Sequence, residues 1–194
     1  MATDFDPSAP PNTGPRQRPL LENPTLAARA IELLGTNSAL AELSAADARC
    51  VIAKMGLINL PRGATMYQEG DMQDTDQMLL VLTGEVSVEM ADLGRPDGVT
   101  VSVLGPGNLV GEMGLLDGAA RSATCKAVSD VSAATLSREA LKTLIDEHPK
   151  VAALLLVAVA QRLADRLRAL GDQLKLYARL GLTHFEPTGL IVRR

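Results

Sequence analysis

The chain has 194 residues, enough for one domain with appendages, and its net charge of −4 gives no general attraction to nucleic acid. Hydrophobic residues make up 46% of it and aromatic residues only 2%, so the core must be aliphatic. The two cysteines form neither a disulfide framework nor a metal-ligand spacing, and the longest apolar run, residues 151–160, is too short to span a membrane. The polar, proline-rich N-terminus is unlike a signal peptide. We therefore expect a cytoplasmic protein that neither enters a membrane nor binds DNA directly.

The N-terminal residues 1–24 hold six of the eleven prolines, together with Ser, Asn, Thr and Gly. Such a composition cannot bury enough apolar surface to offset the entropy of ordering, which predicts a disordered tail. A helix follows, with Thr25 as its N-cap and Gly35 as its C-cap. Ser44 then opens a second helix with Asp47 in its first turn.

From Leu57 onward the apolar period changes from 3.6 to 2, which is typical of strands with one buried face. Turn residues separate the runs, among them Glu69-Gly70-Asp71, Gly84 and Gly105-Pro106-Gly107. Many short strands at regular spacing predict a sandwich or barrel, so the expected fold class is mainly β with flanking helices. The predicted strands are residues 57–60, 64–67, 78–83, 86–90, 99–104, 124–128 and 131–136.

Helical periodicity returns at Ser137, and a first helix ends at His148-Pro149. A longer helix is predicted over residues 149–177, where apolar residues are spaced alternately by four and three. This heptad seam suits a coiled coil, and we expect a parallel homodimer, with a helix folded back on its own sheet as the alternative. Residues 178–194 form a tail without a clear period. The seam consists of Leu156, Ala160, Leu163, Leu167, Leu170, Leu174 and Tyr177.

Residues 111–123 interrupt the strands with a glycine-rich start, a carboxylate, one short apolar turn and an Arg-Ser-Ala sequence. Glu112 and Arg121 are nine positions apart (121 − 112), and a bent segment of that length can aim both side chains into one pocket. A carboxylate there can accept hydrogen bonds from a sugar hydroxyl, and a guanidinium offers a fixed fork of donors to two phosphate oxygens. The stretch therefore suits a small ligand that carries a ribose and a phosphate. An internal salt bridge between Glu112 and Arg121 is the alternative.

This stretch resembles the phosphate-binding cassette of the cyclic nucleotide-binding domain family, which includes the bacterial catabolite activator protein and the regulatory subunits of cyclic-AMP-dependent protein kinase. The resemblance covers roughly residues 38–170. It includes Leu40-Ala41-Glu42-Leu43-Ser44, Glu69-Gly70-Asp71, Gly84, Gly105-Pro106-Gly107 and the cassette itself. It implies an eight-stranded antiparallel β-roll (jelly-roll) within residues 25–148, with N-terminal helices before it and a long C-terminal helix after it.

The resemblance also implies the roles of individual residues toward the ligand. Glu112 would accept from the ribose 2′-hydroxyl, Arg121 would pair with the cyclic phosphate, and Ser122 would donate to that phosphate. Val88 and Val101 would lie beside the purine. The full set expected to contact the ligand is Gly111, Glu112, Met113, Arg121, Ser122, Ala123, Val88, Val101 and Arg166.

The choice of base depends on Arg166, which stands where the catabolite activator has a threonine that contacts adenine. An arginine can stack on either purine, and it can also donate to guanine O6 and N7. Ser122 and Ala123 match the bacterial cyclic-AMP pattern, so we expect cyclic AMP as the ligand and keep cyclic GMP as the alternative.

The expected function is that of a regulatory module without enzymatic activity, in which the ligand draws in the cassette and the C-terminal helix closes over the base. The two histidines lie off the predicted strands, so neither a metal cofactor nor a catalytic residue is expected. The DNA-binding domain that follows this helix in the catabolite activator is not expected here, so the signal would pass to an unknown effector protein. The alternatives are a structural β-roll that responds to no nucleotide, and a transcription regulator that acts through a partner.

Overall fold

The computed structural model describes residues 17–35, 43–73, 75–92 and 95–179. Its strands are β1 (Arg18–Pro19), β2 (Gly56–Leu60), β3 (Thr65–Tyr67), β4 (Gln77–Thr83), β5 (Val86–Asp92), β6 (Arg95–Leu104), β7 (Leu109–Val110), β8 (Thr124–Ala127) and β9 (Val131–Ser137). They form two antiparallel sheets, in the orders β1-β2-β9-β4-β7 and β3-β8-β5-β6. The prediction of a mainly β fold built on an antiparallel roll is confirmed.

Seven of these strands coincide with the predicted runs, and the other two are β1 and β7. Both contain two residues, which is too short for an alternation of period two to be detected. Arg18 lies opposite Leu57 on β2, so β1 adds a strand to the edge of the larger sheet. The described ranges therefore hold nine strands rather than the expected eight.

Helices flank the roll, and local capping explains where they begin. The α-helices in the described ranges are α1 (Pro24–Leu34), α2 (Ala45–Ile52), α3 (Glu112–Asp117), α4 (Arg138–Glu147) and α5 (Pro149–Arg179), and a short 3-10 helix spans Leu20–Glu22. Asn23, not Thr25, caps α1: its side chain accepts from the Leu26 N–H at 3.1 Å. Ser44 and Asp47 form a reciprocal capping box at the start of α2. None of these helices combines the length and apolarity needed to cross a lipid bilayer.

Strand β4 is buried on both faces, which explains its unbroken apolar run from Met78 to Leu82. Leu80 and Leu82 belong to a cluster shared with the helices, while Leu79 and Val81 belong to a second cluster inside the roll. The roll is therefore packed from within by aliphatic side chains and covered on one face by α1, α2, α4 and the first turns of α5.

The prediction that residues 1–24 form a disordered tail is wrong for residues 17–24. Leu20 is fully buried, and its N–H donates to the carbonyl of Met55 at 3.0 Å. This burial and the pairing of β1 offset the ordering entropy that the proline content had suggested would dominate. Helix α5 ends at Arg179, two residues beyond the predicted end. The rest of the tails (residues 1–16 and 180–194) and the segment 36–42, with Leu40, lie outside the described residues.

Candidate functional site

The stretch between β7 and β8 is shaped by glycines. Gly111 has a φ of +79° at the start of α3, and Gly118 has a φ of +71° at its end. A Cβ on Gly111 would lie 2.6 Å from the ring of Tyr67 and 2.7 Å from Arg121 Nη1, and a Cβ on Gly114 would lie 3.1 Å from the same nitrogen. Glycine at position 111 lets the backbone come this close, so the glycine-rich start of the stretch accommodates Arg121 beside α3.

Arg121 lies inside the roll with 4% of its surface exposed. Its guanidinium donates to the carbonyls of Gly111 at 2.9 Å and Gln77 at 3.0 Å. It also lies 3.7 Å from the centre of the Tyr67 ring, a cation–π contact, while the Tyr67 hydroxyl donates to Gln77 O at 3.2 Å. The ring and the two carbonyls hold the fork of Arg121 in one orientation.

Glu112 is the buried anion of the site, with 3% of its surface exposed. It forms a salt bridge with Arg166 of α5, whose Nη1 donates to Glu112 Oε1 at 2.8 Å. The other terminal nitrogen of Arg166 donates to the carbonyl of Leu109 at 2.8 Å. A carboxylate this deeply buried needs such a partner, and here the partner comes from the C-terminal helix.

These charged groups open into one pocket with an apolar wall. An opening with this lining can accept an anion, a hydroxyl group and a flat apolar ring at the same time. The lining residues are Tyr67, Val88, Leu104, Val110, Gly111, Glu112, Met113, Gly114, Arg121, Ser122, Ala123, Cys125 and Arg166.

Comparison with known proteins agrees with this geometry. The family described as "Cyclic nucleotide-binding domain" matches residues 57–148. A crystal structure of a cyclic nucleotide-binding domain from Methylobacillus flagellatus KT superimposes with a TM-score of 0.72 at 31% identity, covering 84% of this chain and 86% of that one. This chain belongs to the cyclic nucleotide-binding domain family.

Curated relatives of this cyclic nucleotide-binding domain include two bacterial proteins. The cyclic AMP receptor protein of Thermus thermophilus is 38% identical over 54% of this chain and 47% of its own length. The CRP-like cAMP-activated global transcriptional regulator of Mycobacterium tuberculosis is 28% identical over 59% of this chain and 50% of its own length. The chain thus spans about half the length of the curated relatives it matches. A structure of the Thermus thermophilus catabolite activator protein superimposes with a TM-score of 0.59 at 32% identity, covering 70% of this chain and 61% of that one.

Eight of the nine residues predicted to contact the ligand line the pocket of this cyclic nucleotide-binding domain; the exception is Val101. The pairing of β5 and β6 explains why Val101 does not line the pocket. Val88 lies opposite Ser102 and Glu89 lies opposite Thr100, so the register skips Val101 at a β-bulge. Val101 is half-buried beside the bulge, and Leu104 occupies the pocket wall instead.

Several residues of the pocket wall were not among the predicted ligand contacts, above all Tyr67 and Cys125. Burial raises the pKa of the Tyr67 hydroxyl, and burial together with the nearby Glu112 carboxylate raises the pKa of the Cys125 thiol to about 11. Both groups are therefore uncharged at neutral pH and form wall rather than nucleophiles. Tyr67 on β3 and Cys125 on β8 both occupy inward-facing positions, so the alternation of inward and outward residues along these strands could have identified them. Over the described part of the chain, no group of three or more His, Cys, Asp or Glu residues could hold a metal ion.

Proposed function

We propose that this chain is a regulatory module that binds cyclic AMP and is not an enzyme. The observation that carries the proposal is the burial of Arg121 and Glu112 in one pocket. A buried guanidinium fork suits the cyclic phosphate, with Ser122 as a further donor, and a buried carboxylate suits the ribose 2′-hydroxyl. The names of the Thermus thermophilus and Mycobacterium tuberculosis relatives support cyclic AMP as the ligand.

The purine would lie between an apolar wall and Arg166. Val88 and Leu104 supply the apolar surface, and the Arg166 side chain, 34% exposed, supplies donors at the edge of the pocket. Because those donors also match guanine O6 and N7, cyclic GMP is the competing ligand.

Signalling would pass through Glu112, which belongs to both the pocket and the contact with α5. A ribose hydroxyl that donates to Glu112 changes the strength of its salt bridge with Arg166, so binding shifts the equilibrium position of α5. An effector protein that contacts α5, in a cytoplasmic setting, would respond to that shift.

The end of α5 remote from the roll suits a second copy of the chain. Leu167 and Leu174 are 71% and 59% exposed, and Leu170 is also exposed. These residues continue the heptad seam, and the charged pairs Asp165–Arg168 and Asp172–Lys175 lie off it. Burying a leucine is worth about 1.5–3 kcal/mol, so a parallel pair of α5 helices related by a two-fold axis is the proposed assembly.

A role in transcription through a partner is the second candidate. It is favoured by the Mycobacterium tuberculosis relative, which is named as a global transcriptional regulator. A gel-shift assay with and without cyclic AMP separates direct DNA binding from action through a partner.

The decisive experiment measures thermal unfolding of the purified protein with cyclic AMP, cyclic GMP, cyclic dinucleotides and 5′-AMP, followed by calorimetry. A ligand at 100 times its Kd should add about 2.7 kcal/mol to the free energy of unfolding. We expect the largest shift with cyclic AMP. A preference of about tenfold or more for cyclic GMP would show that cyclic GMP is the ligand instead. If no nucleotide raises the melting temperature, the chain is a structural roll that does not respond to nucleotides.

A further inference from the structure

Arg162 lies on α5 one turn before Arg166, and it joins three elements of the fold. Its guanidinium donates to Leu33 O near the end of α1 at 2.7 Å, to Gly107 O in the turn before β7 at 3.3 Å, and to Ala158 O in its own helix at 3.4 Å. Burial lowers the pKa of this guanidinium. A half-buried charge among carbonyls is costly to desolvate, so filling space alone would be better served by an apolar side chain.

The segment that Arg162 contacts is firmly held. The N–H of Gly107 donates to Val81 O at 2.9 Å, and the N–H of Val81 donates to Asn108 O at 3.0 Å, so the turn is tied to the buried strand β4. Arg166 donates to Leu109 O, two residues further along the same segment. The two arginines therefore bind one rigid piece of the roll, residues 107–109.

We infer that Arg162 is a positioning residue for the ligand site. It sets the axial position and the rotation of α5 so that the guanidinium of Arg166 meets Glu112. Residues four apart lie on one face of a helix, about 6 Å apart along its axis. Any slide or rotation of α5 after loss of the Arg162 contacts would lengthen the Arg166 bonds, because the buried Glu112 is fixed at the start of α3. This inference rests on the proposed function, in which Glu112 accepts from the ribose.

The chain supplies its own control in Arg168. This residue is also on α5, but it forms a surface pair with Asp165 and its side chain is 72% exposed. In the sequence the three arginines form one cluster, whereas in the structure Arg162 contacts backbone, Arg166 contacts the site and Arg168 contacts a surface aspartate.

The test compares Arg162→Lys, Arg166→Met, Arg168→Met and the double variant Arg162→Lys/Arg166→Met by calorimetry with cyclic AMP and 2′-deoxy cyclic AMP. Lysine keeps the charge of Arg162 but cannot span Leu33 and Gly107. We expect Arg162→Lys to reduce the preference for the 2′-hydroxyl by about fivefold, and Arg168→Met to leave it unchanged. In the Arg166→Met background Arg162→Lys should have no further effect on this preference, since it acts through Arg166.

An unchanged preference in Arg162→Lys, even with a lower melting temperature, would show that Arg162 is structural only. Arg162→Gln is the second variant if the lysine form does not fold. Wild-type protein that binds neither nucleotide would contradict the proposed function instead. Amide hydrogen exchange without ligand would then decide the inference: Arg162→Lys should speed exchange in residues 109–115, Arg168→Met should not, and equal rates in both would overturn it.

Discussion

The two halves of α5 differ in what they contact. In residues 149–166, Leu155 and Val159 are buried against the roll and its helices, and Arg162 and Arg166 bind the segment before α3. In residues 167–179, the seam residues Leu167, Leu170 and Leu174 are exposed. An apolar pattern thus predicts that a helix face will be buried, but the extent of the roll decides which part is covered by its own chain.

The two halves bury faces of the helix that are offset but not fully separate. Leu155, Val159 and Arg162, which face the roll, each lie one position before a residue of the heptad seam. The seam residues Leu156 and Leu163 are partly buried against the same core, so the proposed dimer uses the continuation of the seam from Leu167. Changes in that continuation should leave the pocket unchanged.

The largest effect is expected at Arg121, whose loss removes the ligand contact that is remote from α5. Arg121→Ala leaves a desolvated phosphate without its bidentate partner, which costs about 2–5 kcal/mol, or roughly 30- to 4,000-fold in Kd. Arg121→Lys keeps the positive charge but loses the guanidinium fork, so its Kd should lie between those of the wild type and Arg121→Ala. Calorimetry with cyclic AMP measures the loss, and light scattering should show the oligomeric state unchanged. Binding within about threefold of wild type would contradict the role of Arg121.

A loss of similar size is expected from Leu155→Ala, but in the free energy of unfolding rather than in ligand affinity, because Leu155 lies in the half of α5 that packs against the roll. Leu155 is 1% exposed, and truncating such a leucine costs about 2–5 kcal/mol. The loss should not depend on protein concentration, because the contacts lie within one chain. Leu174→Ala is the matched change in the exposed half, and its effect should appear only where the dimer is populated. Denaturant unfolding at several protein concentrations distinguishes the two variants. If both respond to protein concentration in the same way, the two halves of α5 do not differ in how they are stabilised.

A smaller effect is expected from Glu112→Gln. Hydrogen bonds to charged groups are worth about 1.5–3 kcal/mol, so cyclic AMP should bind roughly 10- to 150-fold more weakly. The 2′-deoxy analogue lacks the donor and should bind the variant almost as well as the wild type. Equal losses for both ligands would remove the ribose role of Glu112.

The smallest effect on ligand affinity is expected from Leu167→Glu with Leu174→Glu. The charges should separate the proposed dimer, so light scattering should fall from about twice the 20.5 kDa chain mass to the mass of one chain. Cyclic AMP affinity should stay within about twofold, because the pocket lies in the other half. Ala169→Glu, exposed and off the seam, is the control and should remain dimeric. A wild type that is monomeric with and without cyclic AMP would end the coiled-coil interpretation.

Much of the roll could be predicted from local pattern, because strands such as β8 carry their alternation of buried and half-buried residues in a few consecutive positions. The pair Glu112 and Arg121 was also accessible, since both belong to one short stretch with a recognisable composition. Leu20 and β1 were not, because a pair of leucines between two prolines has no periodicity and the burial of Leu20 depends on partners such as Met55, further along the chain.

The site residues that escaped prediction depend on long-range pairing. The bulge at Val101 is a property of the match between β5 and β6 and leaves no mark within either strand. Tyr67 acquires its role from Arg121, 54 positions later (121 − 67). The resemblance identified Arg166 but not the role of Arg162, because only the packing of α5 decides which carbonyl or carboxylate each guanidinium meets.

The close contacts of Gly111 have a consequence for interpreting related sequences. Its missing Cβ leaves the space that Tyr67 and Arg121 occupy, so a single methyl group there would displace one of them. A related chain could keep both the glutamate and the arginine and still lose the site through this one replacement. A comparison of the charged residues alone would then classify that chain as a functional receptor, although the added Cβ had already removed its binding pocket.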